Sequence, residues 1–101
     1  MILREKLQVP LKEKFVKVAV DIKRNILSYG CELHLDCADE LANDGSAREH
    51  LWGANVYPLS GKIDFVSLIN IRPQDGNRAM EIALPEIKEK VAHVITALLF
   101  P

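Results

Sequence analysis

Long apolar runs are absent from this chain, and no segment approaches the roughly 20 residues that a membrane-spanning helix needs. The most apolar stretch, Val91 to Phe100, is far shorter and is interrupted by His93 and Thr96. A surplus of positive charge is absent too. Lys and Arg number 13 against 14 Asp and Glu, a net charge of −1. That balance, with no Lys/Arg cluster, excludes nonspecific nucleic-acid binding, which draws its affinity from neutralised phosphates. The opening residues Met1-Ile2-Leu3-Arg4-Glu5-Lys6 lack the apolar core of a secretory signal. The expected location is therefore cytoplasmic, with no membrane partner. Cysteine is scarce as well, with only Cys31 and Cys37. On a strand these two stand about 20 Å apart and on a helix about 9 Å, whereas a disulfide needs Cα atoms within about 7 Å. They are expected as buried free thiols, and two cysteines alone make a poor metal site. Also missing are a Ser-His-Asp order, a phosphate-binding glycine loop and a dinucleotide fingerprint.

What is present fits one domain over residues 1–101, with 49% hydrophobic and 27% charged residues, an ordinary globular balance. Residues 1–14 read as a short helix or irregular arm, because Leu3, Leu7 and Leu11 have helical spacing but Pro10 breaks it. From Phe15 the period becomes two. Val16, Val18, Val20 and Ile22 alternate with Lys17, Ala19 and Asp21, which predicts a half-buried strand. Lys23-Arg24-Asn25 turns the chain into a second strand, expected to reach Asp36 with Gly30 as a bulge. A short helix capped by Asp36 and stopped at Gly45 follows, then one further turn at Ser46-Ala47-Arg48-Glu49. Leu51 to Tyr57 and Lys62 to Arg72 read as a second hairpin through Pro58-Leu59-Ser60-Gly61. Pro73 to Arg78 is a polar loop, and a helix starts at Pro85 with Ile87, Val91, Val94, Ile95 and Leu98 on its buried stripe. The fold expected is α+β, an antiparallel sheet of about four strands in β-β-α-β-β-α order, with the helices on one face. In the Lys62–Arg72 strand, Val66 and Leu68 are apolar opposite Ile63, Phe65, Ile69 and Ile71. A strand apolar on both faces is central or covered, which suggests a homodimer through the Val66/Leu68 face.

The stretch from Val18 to Glu81 resembles a family of small bacterial proteins filed as a domain of unknown function. Its matching pieces are Val20-Asp21-Ile22, Gly30 with Glu32-Leu33-His34 and Asp36, Gly45-Ser46, and Leu51-Trp52-Gly53 with Asn55 and Tyr57-Pro58. Ser67-Leu68-Ile69-Asn70-Ile71-Arg72-Pro73 and Gly76-Asn77-Arg78 complete them. The N-terminal region looks shorter than in similar proteins, and Leu84 stands where a helix prefers an Asp or Ser cap. The resemblance implies a whole-domain relationship and a grouping of the Glu-His-Asp row with the later Asn and Arg residues. It carries no activity.

Glu32-Leu33-His34-Leu35-Asp36 concentrates the chemistry. On a strand, Glu32, His34 and Asp36 share one face. Asn70 and Arg72 share a face of the later strand beside Asn77 and Arg78, where forked arginine hydrogen bonds suit a carboxylate or phosphate. Asn55 in mid-strand needs partners if buried, and marks a polar network. Two readings follow. In the first, a binding or structural module uses Glu32, His34, Asn55, Asn70, Arg72 and Asn77 as a polar pocket for an anionic small ligand or protein partner, without a cofactor. In the second, Glu32, His34 and Asp36 ligate Zn, Mn or Fe in a divalent-metal-dependent hydrolase, with Arg72 steadying negative charge.

Overall fold

The computed structural model describes residues 1–101 as one α+β unit. Strand β1 (Ile2–Leu3) is followed by β2 (Val16–Asp21) and β3 (Ile26–Tyr29), then helix α1 (His34–Asn43), strands β4 (Leu51–Tyr57) and β5 (Lys62–Asp64), and helix α2 (Pro85–Leu99). The strands form one antiparallel sheet in the order β1-β3-β2-β4-β5, so β2 is central. It has five strands because the N-terminal arm, which is otherwise irregular, lends Ile2 and Leu3 to the edge of β3. The leucine spacing in that arm is used for packing: Leu3, Leu7 and Leu11 lie against the core beside α2.

The β2–β3 hairpin closes tightly. Asp21 Oδ1 accepts from the backbone N–H groups of Lys23 and Arg24, both at 2.9 Å, and Asn25 takes φ 56°, a left-handed conformation that Asn tolerates.

Register then distributes the core. Val18 faces Tyr29 and Ala54 across its two neighbours, and Val20 faces Leu27 and Trp52. This face packs against Val91, Val94, Ile95 and Leu98 of α2. The opposite face carries Ala19, Ile26 and Leu51 and packs against Cys37, Ala38 and Leu41 of α1. The helices therefore cover opposite faces, where the sequence suggested one. Small residues explain this: Ala19 and Ser28 sit on the α1 face and let that helix approach closely, and Gly53 on the same face admits Ser67.

Three further expectations are corrected. First, β3 ends at Tyr29, and Gly30 (φ 81°) turns the chain out of the sheet. Glu32, His34 and Asp36 therefore share no strand face. Leu33 and Leu35, which a strand would place together on the face opposite that row, are 58% and 51% exposed, while Cys37, Ala38 and Leu41 bury a helical stripe. Leu33 is the N-cap residue and contributes no side-chain cap; Asp36 sits in the first turn instead, where the helix dipole favours an acid.

Second, Cys31 and Cys37 form a disulfide with Cα atoms 5.7 Å apart. The separations expected of a strand or helix do not apply, because a chain reversal lies between the two residues. The expectation of two buried free thiols is overturned. Third, β5 stops at Asp64. Val66 bridges Glu81, and the chain continues through 3₁₀ turns at Leu68–Asn70 and Pro73–Asp75. Val66 and Leu68 thus occupy no sheet face, and Leu68 is 70% exposed. No helix is long and apolar enough to cross a membrane.

Candidate functional site

A cleft of about 480 Å³ opens where the start of α1 meets β4 and the Val66–Ile69 segment. Its walls are apolar. Phe15, Leu33, Leu35, Leu68 and Met80 all line it, five of the nine large apolar side chains that the chain leaves exposed. Scattered exposed apolar residues are ordinary; here five of them gather around one concavity.

The polar side chains of the cleft are His34, Asn55, Lys17 and Ser67, the last with its hydroxyl accepting from Ile69 N–H. His34 opens α1, and its Nε2 lies 2.9 Å from the Ala54 carbonyl oxygen. A carbonyl only accepts, so Nε2 carries the proton. Burial pulls the imidazole below the ordinary histidine range. The Ala54 carbonyl and the Asn55 amide oppose that shift, and the Lys17 charge adds to it. At neutral pH the ring is therefore neutral, and with Nε2 donating to Ala54, Nδ1 is an acceptor that no protein N–H or O–H meets, the neighbouring Asn55 presenting its own acceptor oxygen. Asn55 is buried in mid-strand, as its placement there demanded. Its Nδ2 donates to the Val66 carbonyl at 3.3 Å, which fixes the amide orientation. Its Oδ1 is buried and no donor meets it in hydrogen-bonding geometry. Lys17 Nζ donates to the Glu32 carbonyl at 2.8 Å, tying β2 to the segment before α1.

Of the residues singled out from sequence, His34 and Asn55 meet in this cleft. The others do not line it. Glu32 is exposed and borders a neighbouring recess with Gly30 and Cys31. Asn70 is fully buried: its Oδ1 accepts from Gly53 N–H at 2.8 Å, and its Nδ2 donates to the carbonyls of Gly53 (2.9 Å) and Met80 (3.1 Å). Asn77, also fully buried, donates from Nδ2 to the carbonyls of Asn70, Ala79 and Glu81 and accepts from Ala83 N–H. Both amides replace missing backbone partners, and they hold the Ser67–Asn70 wall from behind. Arg72 lies 3.6 Å above the Trp52 ring and donates from Nη1 to the carbonyls of Arg48 and Glu49. Burial lowers its pKa and nearby Asp75 raises it. The guanidinium plane is taken up by stacking and Nη1 by the backbone, while Nε and Nη2 are buried without a hydrogen-bond acceptor.

The Glu32-His34-Asp36 metal row has no counterpart. His34 Nε2 is engaged by Ala54, Asp36 is exposed on α1, and no three His, Cys, Asp or Glu side chains converge as ligands. Sequence reasoning missed Phe15, Lys17, Leu33, Leu35, Leu68 and Met80 as cleft residues. The available signal was the helical spacing of Cys37, Ala38 and Leu41, which competes with the leucine alternation and frees Leu33 and Leu35 from the core.

No curated protein and no solved structure matches the chain. Residues 2–98 do match the family described as "Protein of unknown function (DUF5674)", and the chain belongs to that family.

Proposed function

We propose that this protein is a binding module whose cleft takes a small apolar molecule carrying a hydroxyl or amide N–H donor, received by His34 Nδ1. The observation that carries this reading is a neutral imidazole, with one nitrogen free, at a cleft lined by five exposed apolar side chains. Its volume of about 480 Å³ suits a small molecule, since such sites span roughly 300–1,000 Å³. A free acceptor favours a neutral donor over a carboxylate or phosphate; Asn70 and Asn77 are occupied elsewhere, and Arg72 does not line the cleft.

A ligand-observed NMR screen of apolar alcohols, primary amides and matched carboxylates tests the reading. The alcohols and amides are expected to bind and to shift the His34 ring and Asn55 amide resonances, and His34→Leu is expected to abolish this. Binding by the carboxylates alone, or binding that survives His34→Leu, would sink the proposal. So would a screen in which nothing binds.

A further inference from the structure

Cys31 follows the Gly30 turn, and Cys37 lies just inside α1. The ring closed by their disulfide contains Leu33, His34 and Leu35, the α1 wall of the cleft. Few other contacts hold that wall. The N-cap residue Leu33 has no side-chain cap to offer the first turn. Apart from the disulfide, the polar ties are His34 Nε2 to the Ala54 carbonyl, Lys17 Nζ to the Glu32 carbonyl, and the Ser28 hydroxyl 3.9 Å from Cys31 Sγ.

The two sulfurs differ in access. Cys37 is fully buried among Ala19, Ala38 and Leu41. Cys31 is partly exposed and borders a recess of about 420 Å³ shared with Tyr29, Gly30 and Glu32. Phe15 and Lys17 line both this recess and the cleft. An incoming thiolate therefore reaches Cys31 first, and Cys37 is the leaving group. The nearby N-terminus of α1 favours its departure as a thiolate, because the helix dipole stabilises negative charge there, while its apolar surroundings oppose it.

We propose that the Cys31–Cys37 disulfide is a redox-responsive lock on the cleft, opened at Cys31 by a dithiol reductant. One thiolate of the reductant attacks Cys31 Sγ, forming a mixed disulfide and expelling Cys37 as a thiolate, which takes a proton. The second thiolate of the reductant attacks its own sulfur in that mixed disulfide and releases Cys31, which is protonated in turn. The protein gains two electrons and two protons, and the dithiol leaves as a cyclic disulfide. Opening the ring then loosens the first turn of α1 and with it the His34 wall. The bond's role as a lock on ligand capture rests on the binding reading above.

The experiment uses the full chain without ligand. Exposure to glutathione, acid quench and peptide mass mapping locate the mixed adduct, which is expected on Cys31. Dithiothreitol then reduces the bond, and amide exchange is followed by NMR. Amides of Ala38 to Leu41, whose acceptors lie in the first helical turn, are expected to exchange roughly 50-fold faster, the loop-closure factor for a ring of this size. Amides of Val91 to Leu98 in α2 are expected to be unchanged. An adduct on Cys37, a bond that resists dithiothreitol in the folded protein, unchanged exchange in α1, or an equal rise in both helices would overturn the proposal. Because no readout involves a ligand, such a failure leaves the binding reading intact, and a cleft that binds nothing leaves this result standing.

Discussion

Replacing Asn70 probes the fold at the point where a side chain does the work of a strand. Strand β5 pairs with β4 only at residues 55–57, so Gly53 has no backbone neighbour on that edge. The Asn70 amide supplies one, accepting from Gly53 N–H and donating to its carbonyl, as the peptide group of a neighbouring strand would. Asn70→Ala removes three hydrogen bonds at a fully buried position and leaves the Gly53 N–H without a partner. At about 1 kcal/mol net per bond, with a further ~1–3 kcal/mol for an orphaned buried donor, the loss is about 4–6 kcal/mol. For a domain of this size that lowers Tm by about 16 °C or more. Asn70→Asp keeps the shape but turns an oxygen toward the carbonyls of Gly53 and Met80. Its folded pKa must rise, so the folded state binds the proton more tightly than the unfolded chain. The deficit is then smallest in acid and grows as pH rises above the unfolded carboxylate value of ~3.9. Urea unfolding of both variants from pH 3.5 to 7 measures this. A loss under 1 kcal/mol for Asn70→Ala, or a deficit in Asn70→Asp that does not change with pH, would refute the strand-substitute argument.

Gly53→Ala would place a Cβ 2.5 Å from Ser67 Cβ and 2.6 Å from its Oγ, and is expected to cost about 1–3 kcal/mol. Ser67→Gly in the same chain should recover part of this in a double-mutant cycle, and strict additivity would count against the clash. Arg72→Lys gives up the stacking on Trp52 and the fork shared by the Arg48 and Glu49 carbonyls. It should cost about 1–2 kcal/mol and shift tryptophan emission, and an unchanged spectrum would contradict the stacked arrangement. His34 resists protonation in the folded state because it is buried. The unfolded chain therefore binds this proton more readily, and stability falls as pH drops below ~6.5 toward the lower folded value. His34→Gln should flatten that part of the profile in urea midpoints taken between pH 7 and 5. Parallel profiles for variant and wild type would show that His34 is not the group responsible.

The elements legible in sequence were those whose pattern had no competitor. Val16 to Asp21 alternates cleanly, Leu51 to Tyr57 is bounded by turns, and α2 carries Pro at its first position and a single apolar stripe. The Glu32–Asp36 row was misread because leucines at alternate positions satisfy a strand, while the competing signal, Gly30 and then Cys37-Ala38-Leu41, lies partly outside the row. The disulfide was excluded on the assumption that both cysteines belong to one regular element. Val66 to Arg72 looks like a strand in composition, yet buried amides and the Ser67 hydroxyl, which accepts from Ile69 N–H, stabilise turns instead. Asn55 was recognisable from its mid-strand position as a residue that needs partners if buried, and it is buried with one bond to the Val66 carbonyl. Asn70 and Asn77 were recognised as important for the wrong reason, since long-range backbone partners leave no trace in local spacing.

The sheet's two outer strands are two and three residues long, and Asn70 closes the Gly53 peptide group beyond the end of β5. Open sheet edges act as templates for pairing with other chains, and short or covered edges suppress it. A foreign strand would find only a few free peptide groups on either side of this sheet. The protein can therefore keep a ring of apolar side chains in water without also offering the backbone ladder on which aggregates grow. Any assembly it enters must be built through side-chain surfaces such as the rim of the cleft.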